Sequence, residues 1–258
     1  MFDRLQKSFL TVETGEAWQP VRLTYELLHS ERTIAALESL GCIRKGAAPL
    51  TWNWYWQGEC DDLHFDSIPS YQRNGSHPVR LATLKQQTDV LHIHLNSFKR
   101  ACMAVPFFHR LLGSEGARIR HADFVNRIFA VDERLPHGFS ELFSEAELEA
   151  MLYQRIEEYQ RMRELCEHAV TAEEALDYMV AYAAAEEKKR LPYAERYVFL
   201  LEDQIDPDVI FLGFYIYLRG REMVAVRRWL GETGYTLREA VEESVESIFG
   251  AMGIDLID

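Results

Sequence analysis

The chain has 258 residues and a formal net charge of −13, from 28 Lys and Arg against 41 Asp and Glu. This acidity argues against a general binder of nucleic acid or of anionic membranes, so neither is an expected partner. An apolar share of 48% is typical of a globular protein and argues against long-range disorder.

The two halves of the chain differ in charge and in hydrophobic period, and they predict two domains, 1–130 and 131–258. The first half has a net charge of +2 and the second a net charge of −15. Apolar residues recur at every second position in the first half and at three- and four-residue steps in the second. The predicted fold is α+β, with an N-terminal α/β domain followed by a C-terminal acidic bundle of four or five helices.

The first domain is predicted to contain a mixed sheet of about six strands. Two helices, capped by Ser30 and Ser97, interrupt the strands and allow parallel βαβ crossovers. A turn at 58–62 favours an antiparallel hairpin between the second and third strands, which makes the sheet mixed. The predicted strands are, in chain order, residues 21–27, 52–57, 63–66, 79–86, 91–95 and 117–129.

The second half is predicted to be helical throughout. Two capping boxes, Thr171 with Glu174 and Thr236 with Glu239, mark helix starts. The segment 208–230 begins apolar on all sides, as is typical of a central helix in a bundle.

Processing and compartment signals predict a cytoplasmic protein. The longest apolar run, 209–218, is too short for a membrane span, and no segment indicates a signal peptide or a lipid anchor. The cysteines have no paired spacing and are expected to be free thiols in a reducing compartment. They are Cys42, Cys60, Cys102 and Cys166.

Histidines cluster in the predicted sheet, where six of the nine lie between residues 64 and 121. Positions i and i+2 of a strand point to one side, so His92 shares a face with His94, and His64 shares one with Asp66. If these strands are neighbours, imidazoles and a carboxylate converge on a site suited to Fe, Mn or Zn. The alternative is that the four residues form the polar face of a half-buried sheet, and then no cofactor is expected.

A second candidate site binds an anion through five residues, Arg73, Arg80, Ser97, Lys99 and Arg100. Lys and Arg in the first turn of a helix oppose the helix dipole, and an anion held by the free N–H groups would offset that mismatch. The alternative is that these side chains reach solvent or the acidic residues of the second half.

Three tryptophans, Trp52, Trp54 and Trp56, share one face of a predicted strand. If buried, they anchor the core under a helix. If exposed, they form an aromatic platform for a planar ligand, a sugar or a protein partner.

The sequence contains no phosphate-cradling loop, nucleophile elbow or H-E-x-x-H motif. The favoured hypothesis is therefore a non-catalytic interaction protein, such as an assembly factor, adaptor or regulator. Its acidic helical surface would meet a protein partner or a second copy. The alternative hypothesis is a metal-dependent or anion-binding enzyme that uses the face lined by histidine and aspartate.

Overall fold

A computed structural model describes residues 8–65, 78–136, 138–199 and 207–251. In these ranges the strands are β1 (Val21–Leu27), β2 (Ile43–Lys45), β3 (Thr51–Tyr55), β4 (Arg80–Gln87), β5 (Val90–Leu95), β6 (Ala117–Val125) and β7 (Ala194–Val198). The helices are α1 (Ser30–Glu38), α2 (Phe98–Gly116), α3 (Glu145–His168), α4 (Ala172–Lys188), α5 (Pro207–Trp229) and α6 (Leu237–Ala251).

The described strands form one sheet in the order β2-β3-β4-β5-β1-β6-β7, and every neighbouring pair is antiparallel. The α+β class is confirmed, but the prediction of a mixed sheet is wrong. Helix α2 does connect two strands that run in the same direction, β5 and β6, but β1 lies between them. A crossover that skips one strand leaves room for an antiparallel neighbour, so no parallel pair forms in the described sheet.

Two further predictions of secondary structure are wrong. Leu63 and Phe65 alternate with polar residues, but they lie in a loop after the 3₁₀ turn at Gly58–Cys60, and both pack against the core. The second half is not entirely helical, because it supplies β7, which pairs with β6 along five residues. The predicted domain boundary at residue 130 stays a prediction, although the sheet continues past it.

The main core lies on one face of the sheet, beneath α1, α2 and α5. Leu37 of α1, Phe108 of α2 and Phe214 of α5 are all buried in this single cluster. On the sheet, one row of paired residues runs under the helices and consists of Ile43, Trp54, Ala82, Leu95, Val21 and Phe124. A helix from the second half therefore completes the core that the first half begins.

The three tryptophans of the predicted platform belong to this core, where the exposed fractions of Trp52, Trp54 and Trp56 are 2%, 0% and 7%. The Trp54 ring stacks on Phe107 with centroids 5.0 Å apart. Its indole N–H donates to Cys60 Sγ at 2.9 Å. Buried indoles cannot stack on a ligand from solvent. The three tryptophans therefore anchor the core and do not form an exposed platform.

Helix α5 carries the apolar segment that the sequence predicts as a central helix. Phe214 and Leu218 are buried, whereas Leu212 and Tyr215 remain exposed on its other side. In the described part of the chain, no helix combines the length and the apolarity that crossing a membrane requires.

We expect Trp54→Ala to lower the free energy of unfolding by about 3–5 kcal/mol, because it removes a fully buried indole and leaves a cavity beside Phe107. Tyr55→Ala, one position along the strand and half-buried on the other face, is the matched control and should cost much less. Urea denaturation followed by circular dichroism measures both losses. Equal losses would contradict the placement of Trp54 in the core.

Candidate functional site

The second face of the sheet carries a row of polar residues that crosses all seven described strands. Directly opposite residues of neighbouring strands point to the same side, which aligns the row. Its members are Arg44, Asn53, Thr83, His94, Arg22, Asp123 and Arg196. The adjacent row on this face contains Lys85, His92, Thr24 and His121. His92 and His94 therefore share this face, as their alternation predicts.

Asp123 is fully buried and is the anchor of the polar row. Its carboxylate accepts hydrogen bonds from Arg22, with Nη2 at 2.5 Å, and from Arg196, with Nε at 2.6 Å. Both guanidiniums also contact Glu145 at the start of α3, with Arg196 Nη2 at 2.7 Å from the carboxylate. The four side chains join β1, β6, β7 and α3, and they leave the Asp123 carboxylate occupied by two cations.

The histidines of this face are partly covered by residues that precede α3. The His94 ring lies against Phe139, with centroids 4.2 Å apart, and the His92 ring is 6.2 Å from that of His94. His92 Nδ1 is 3.2 Å from the hydroxyl of Thr24. The two imidazoles thus lie side by side under a partial aromatic cover.

The environment keeps two of these imidazoles neutral at pH 7. Burial, followed by the charges of His92 and Arg22, lowers the pKa of His94 from 6.5 to about 4. Burial also lowers the pKa of His121 from 6.5 to about 4, and it outweighs the nearby carboxylate of Asp123, which raises that pKa. Neither group carries charge near neutral pH, which suits a face already occupied by two arginines.

A third member of the predicted metal set, His64, lies apart from His92 and His94. His64 is exposed in the loop after β3, and that strand is separated from β5 by β4. Asp66 lies outside the described residues. Among the residues that the structure describes, no three His, Cys, Asp or Glu side chains are grouped so as to hold a metal ion. The metal hypothesis stays a prediction. It required His64 to lie on a strand next to β5, and the described structure has no such strand.

The predicted anion site is built around a buried arginine that already has partners. Ser97 caps α2, as expected, and accepts the N–H of Arg100 at 3.1 Å. The Arg100 side chain is only 1% exposed. Its Nη2 donates to Glu13 at 3.0 Å and to Thr14 Oγ1 at 2.8 Å, and its Nη1 donates to the Arg80 carbonyl at 3.2 Å. The positive charge of Arg100 at the start of α2 is therefore compensated by the carboxylate of Glu13.

Two of the remaining three residues of the anion prediction, Arg80 and Lys99, lie in the described part of the chain. Arg80 contributes its backbone carbonyl, while its own side chain is exposed. Lys99 is half-buried, and Arg73 lies outside the described residues. Anion binding at this position stays a prediction, and the geometry gives Arg100 a structural role.

Helices α3 and α4 form a helical hairpin that the sequence analysis did not single out as a site. The predicted capping box at its second helix is formed in part, since Thr171 Oγ1 accepts the N–H of Glu174 at 3.1 Å, while the Glu174 carboxylate accepts the N–H of Val170 at 2.9 Å in place of that of Thr171. Cys166 Sγ of α3 lies 3.5 Å from the carbonyl of Ala175 in α4, which places the half-buried side of α4 against α3. The main contacts of α4 in the described part of the chain are with α3.

This hairpin holds eight of the fifteen exposed large apolar side chains in the described ranges. Three of them, Leu176, Met179 and Val180, lie at i, i+3 and i+4 on α4 and are 55%, 45% and 58% exposed. We call these three residues the α4 outer face. The other five are Tyr153, Ile156, Tyr159, Leu165 and Val170. Concentrated apolar exposure of this kind is a common feature of interaction surfaces.

Two exposed acidic residues lie beside the α4 outer face. Glu173 and Asp177 are exposed next to it, and neither makes an ion pair with the described residues. The hairpin, residues 145–188, contains twelve acidic and four basic residues and so has a net charge of −8. The helical period of Leu176, Met179 and Val180 is readable in the sequence, but nothing in it indicates that this side of the helix stays uncovered.

Comparison with known proteins adds no assignment, because no family model, curated protein or solved structure matches the chain.

We expect the free energy of unfolding to fall as the pH drops from 6.5 toward 4, partly through His94 and His121. In that window the unfolded chain binds protons at these residues before the folded chain does, which favours unfolding. The variant His94→Gln/His121→Gln should reduce the fall by on the order of 2 kcal/mol. Urea denaturation at a series of pH values measures it. The exposed His168→Gln is the control, and a variant curve as steep as the wild-type curve would contradict the assignment.

We expect Arg100→Met to lower the free energy of unfolding by about 2–3 kcal/mol, because it removes charge-assisted hydrogen bonds to Glu13, Thr14 and the Arg80 carbonyl. Arg110→Met, at an exposed position of the same helix, is the matched control and should have little effect. Thermal unfolding compares the two variants. A loss no larger than that of the control would show that Arg100 has no such role.

Proposed function

We propose that this protein is a non-catalytic interaction protein whose α4 outer face binds a basic amphipathic helix of a partner protein. The single observation that supports this function is the exposed apolar stripe of Leu176, Met179 and Val180 on a helix that packs mainly on α3. Side chains at i, i+3 and i+4 form a ridge, against which a second helix packs its own apolar stripe.

Burial of the apolar stripe by such a partner favours binding. Each of the three side chains is 45–58% exposed, so covering it contributes roughly half of the 1.5–3 kcal/mol that full burial gives, before the cost of ordering the partner is subtracted. Together with ion pairs from basic residues of the partner, this amount suits a weak, reversible complex at the upper end of the micromolar range.

Charge favours a basic partner over a second copy of the chain. Glu173 and Asp177 flank the stripe without ion pairs in the described structure, within a hairpin of net charge −8. A second copy docked through the same face would bring identical carboxylates together, and like charges repel. Lys or Arg beside the apolar stripe of the partner would instead pair with them.

We expect a fluorescein-labelled peptide of about 18 residues, with Leu at helical spacing and Lys elsewhere, to bind with a dissociation constant in the micromolar range. Fluorescence anisotropy measures it. The variant Leu176→Gln/Val180→Gln should weaken binding at least about tenfold, because it removes apolar contact area. The variant Glu173→Gln/Asp177→Asn should flatten the dependence of affinity on salt concentration, because fewer charges are screened.

The matched control is Leu212→Gln/Tyr215→Gln, which removes two exposed apolar side chains from α5 and should leave the affinity unchanged. A peptide of the same composition without an amphipathic pattern should bind much more weakly. Equal binding by the patterned and unpatterned peptides, or an equal loss in the α5 variant, would refute the proposed surface.

A further inference from the structure

A cavity of about 590 Å³ lies between α3, β7, α5 and α6. Apolar side chains form much of its wall, with Leu148, Met151 and Leu152 on α3 and Leu237 and Val241 on α6. Small-molecule sites in proteins have volumes of about 300–1,000 Å³ and similarly apolar walls. The cavity therefore has the size and lining to hold the apolar body of a small ligand.

The charged residues of this cavity are predominantly basic. Among the described residues, seven basic side chains and three acidic ones contribute to its lining. All of them belong to the half of the chain with a net charge of −15. The cationic lining is thus a local arrangement that opposes the charge of its surroundings.

Three of the seven cations are neutralised by neighbouring carboxylates. Lys189 pairs with Glu158, and Arg238 Nε lies 2.8 Å from the carboxylate of Glu242. Arg196 belongs to the ion network on the polar face of the sheet, where two guanidiniums meet two carboxylates. These pairs leave no surplus charge.

Two further cations share one buried carboxylate. The side chain of Glu195 is 3% exposed and accepts hydrogen bonds from Arg221 Nε at 2.6 Å, Arg155 Nη2 at 2.5 Å and Asn126 Nδ2 at 2.6 Å. Burial alone would raise the pKa of Glu195, but the charges and hydrogen bonds of Arg221 and Arg155 lower it to about 2. Glu195 is therefore ionised at neutral pH, and one positive charge of this pair of arginines stays uncompensated.

The last two cations, Arg190 and Arg228, make no ion pair with the described residues. Arg190 is exposed and Arg228 is half-buried at the cavity. Arg155 and Arg221 together contribute one more uncompensated positive charge. The described lining therefore has a surplus of about three positive charges. Guanidinium groups bind phosphate and carboxylate oxygens in bidentate fashion, so this surplus provides a ready anion site.

We propose that the cavity binds an organic dianion with an apolar body, of the phosphate monoester class, with its head group at Arg190 and Arg228. The apolar body would lie against the side chains of α3 and α6. A phosphate monoester carries about −1.5 to −2 charges at neutral pH and compensates more of the surplus than a carboxylate does. An apolar body is needed because a hydrophilic ligand would leave the wall formed by Leu152 and Val241 exposed to water.

Isothermal titration calorimetry with decyl phosphate, decanoate and decanol tests the proposal, each ligand below its critical micelle concentration. We expect decyl phosphate to bind at least about tenfold tighter than decanoate and decanol not to bind detectably. Arg190→Gln/Arg228→Gln should weaken decyl phosphate binding at least about tenfold. Leu152→Trp should also weaken it, because the indole fills part of the cavity.

The matched control is Arg110→Gln/Arg161→Gln, which removes the same number of charges at exposed positions outside the cavity lining and should leave binding unchanged. Leu176→Gln/Val180→Gln should also bind decyl phosphate normally, which separates this site from the α4 outer face. Equal affinities for the three ligands would overturn the assignment, as would an equal loss in the control. Equal affinities for decyl phosphate and decanoate alone would overturn the choice of a dianion.

Discussion

Asp123 is fully buried on the polar face of the sheet, and the rest of the architecture depends on how its charge is balanced. A buried carboxylate is costly unless cations and hydrogen bonds surround it. Arg22 and Arg196 supply both, from the strands on either side, and Glu145 closes the network from α3. A strand near the N-terminus and a strand from the second half are thereby held to β6, with the start of α3 above them.

The residue that precedes Arg196 in β7, Glu195, has a corresponding role on the other face of the sheet. Glu195 points away from Asp123 and receives Arg155 from α3 and Arg221 from α5. Because α3 reaches Arg196 through Glu145 and Glu195 through Arg155, it passes beside the β7 edge of the sheet. Covering an edge strand protects its unpaired backbone groups from other chains. Buried ion pairs thus fix the position of the helix that lines the cavity and against which α4 packs.

The negative charge of the second half is distributed unevenly over its surface. The acidic surplus is concentrated on the hairpin 145–188, which faces solvent with exposed apolar residues, whereas the cavity on the inner side of α3 is cationic. The principal ion pairs that join β7 to the helices use arginines of the acidic half, such as Arg155 and Arg221. Two adjacent regions of one helical layer therefore carry opposite charges, which suits the two different kinds of binding partner that we propose.

Local patterns in the sequence correctly predicted features that depend on near neighbours. The alternation of His92 with His94 predicts the face that they share, Ser97 is the N-cap of α2 as expected, and the predicted capping box of Thr236 with Glu239 is complete. These features are set by dihedral preferences and hydrogen bonds within a few residues. The same reasoning failed at Leu63, because alternation alone does not show whether a neighbouring strand is available for pairing.

Tertiary structure decided everything that depends on distant parts of the chain. The sequence by itself determined the α+β class, the free thiols, the charge difference between the halves and most strands. Only the fold decided that Arg100 is neutralised by Glu13, that β7 extends the sheet, and that Arg190 and Arg228 meet at one cavity. The physical reason is that ion pairing and burial depend on distance in space, and antiparallel pairing brings together residues separated by up to a hundred positions.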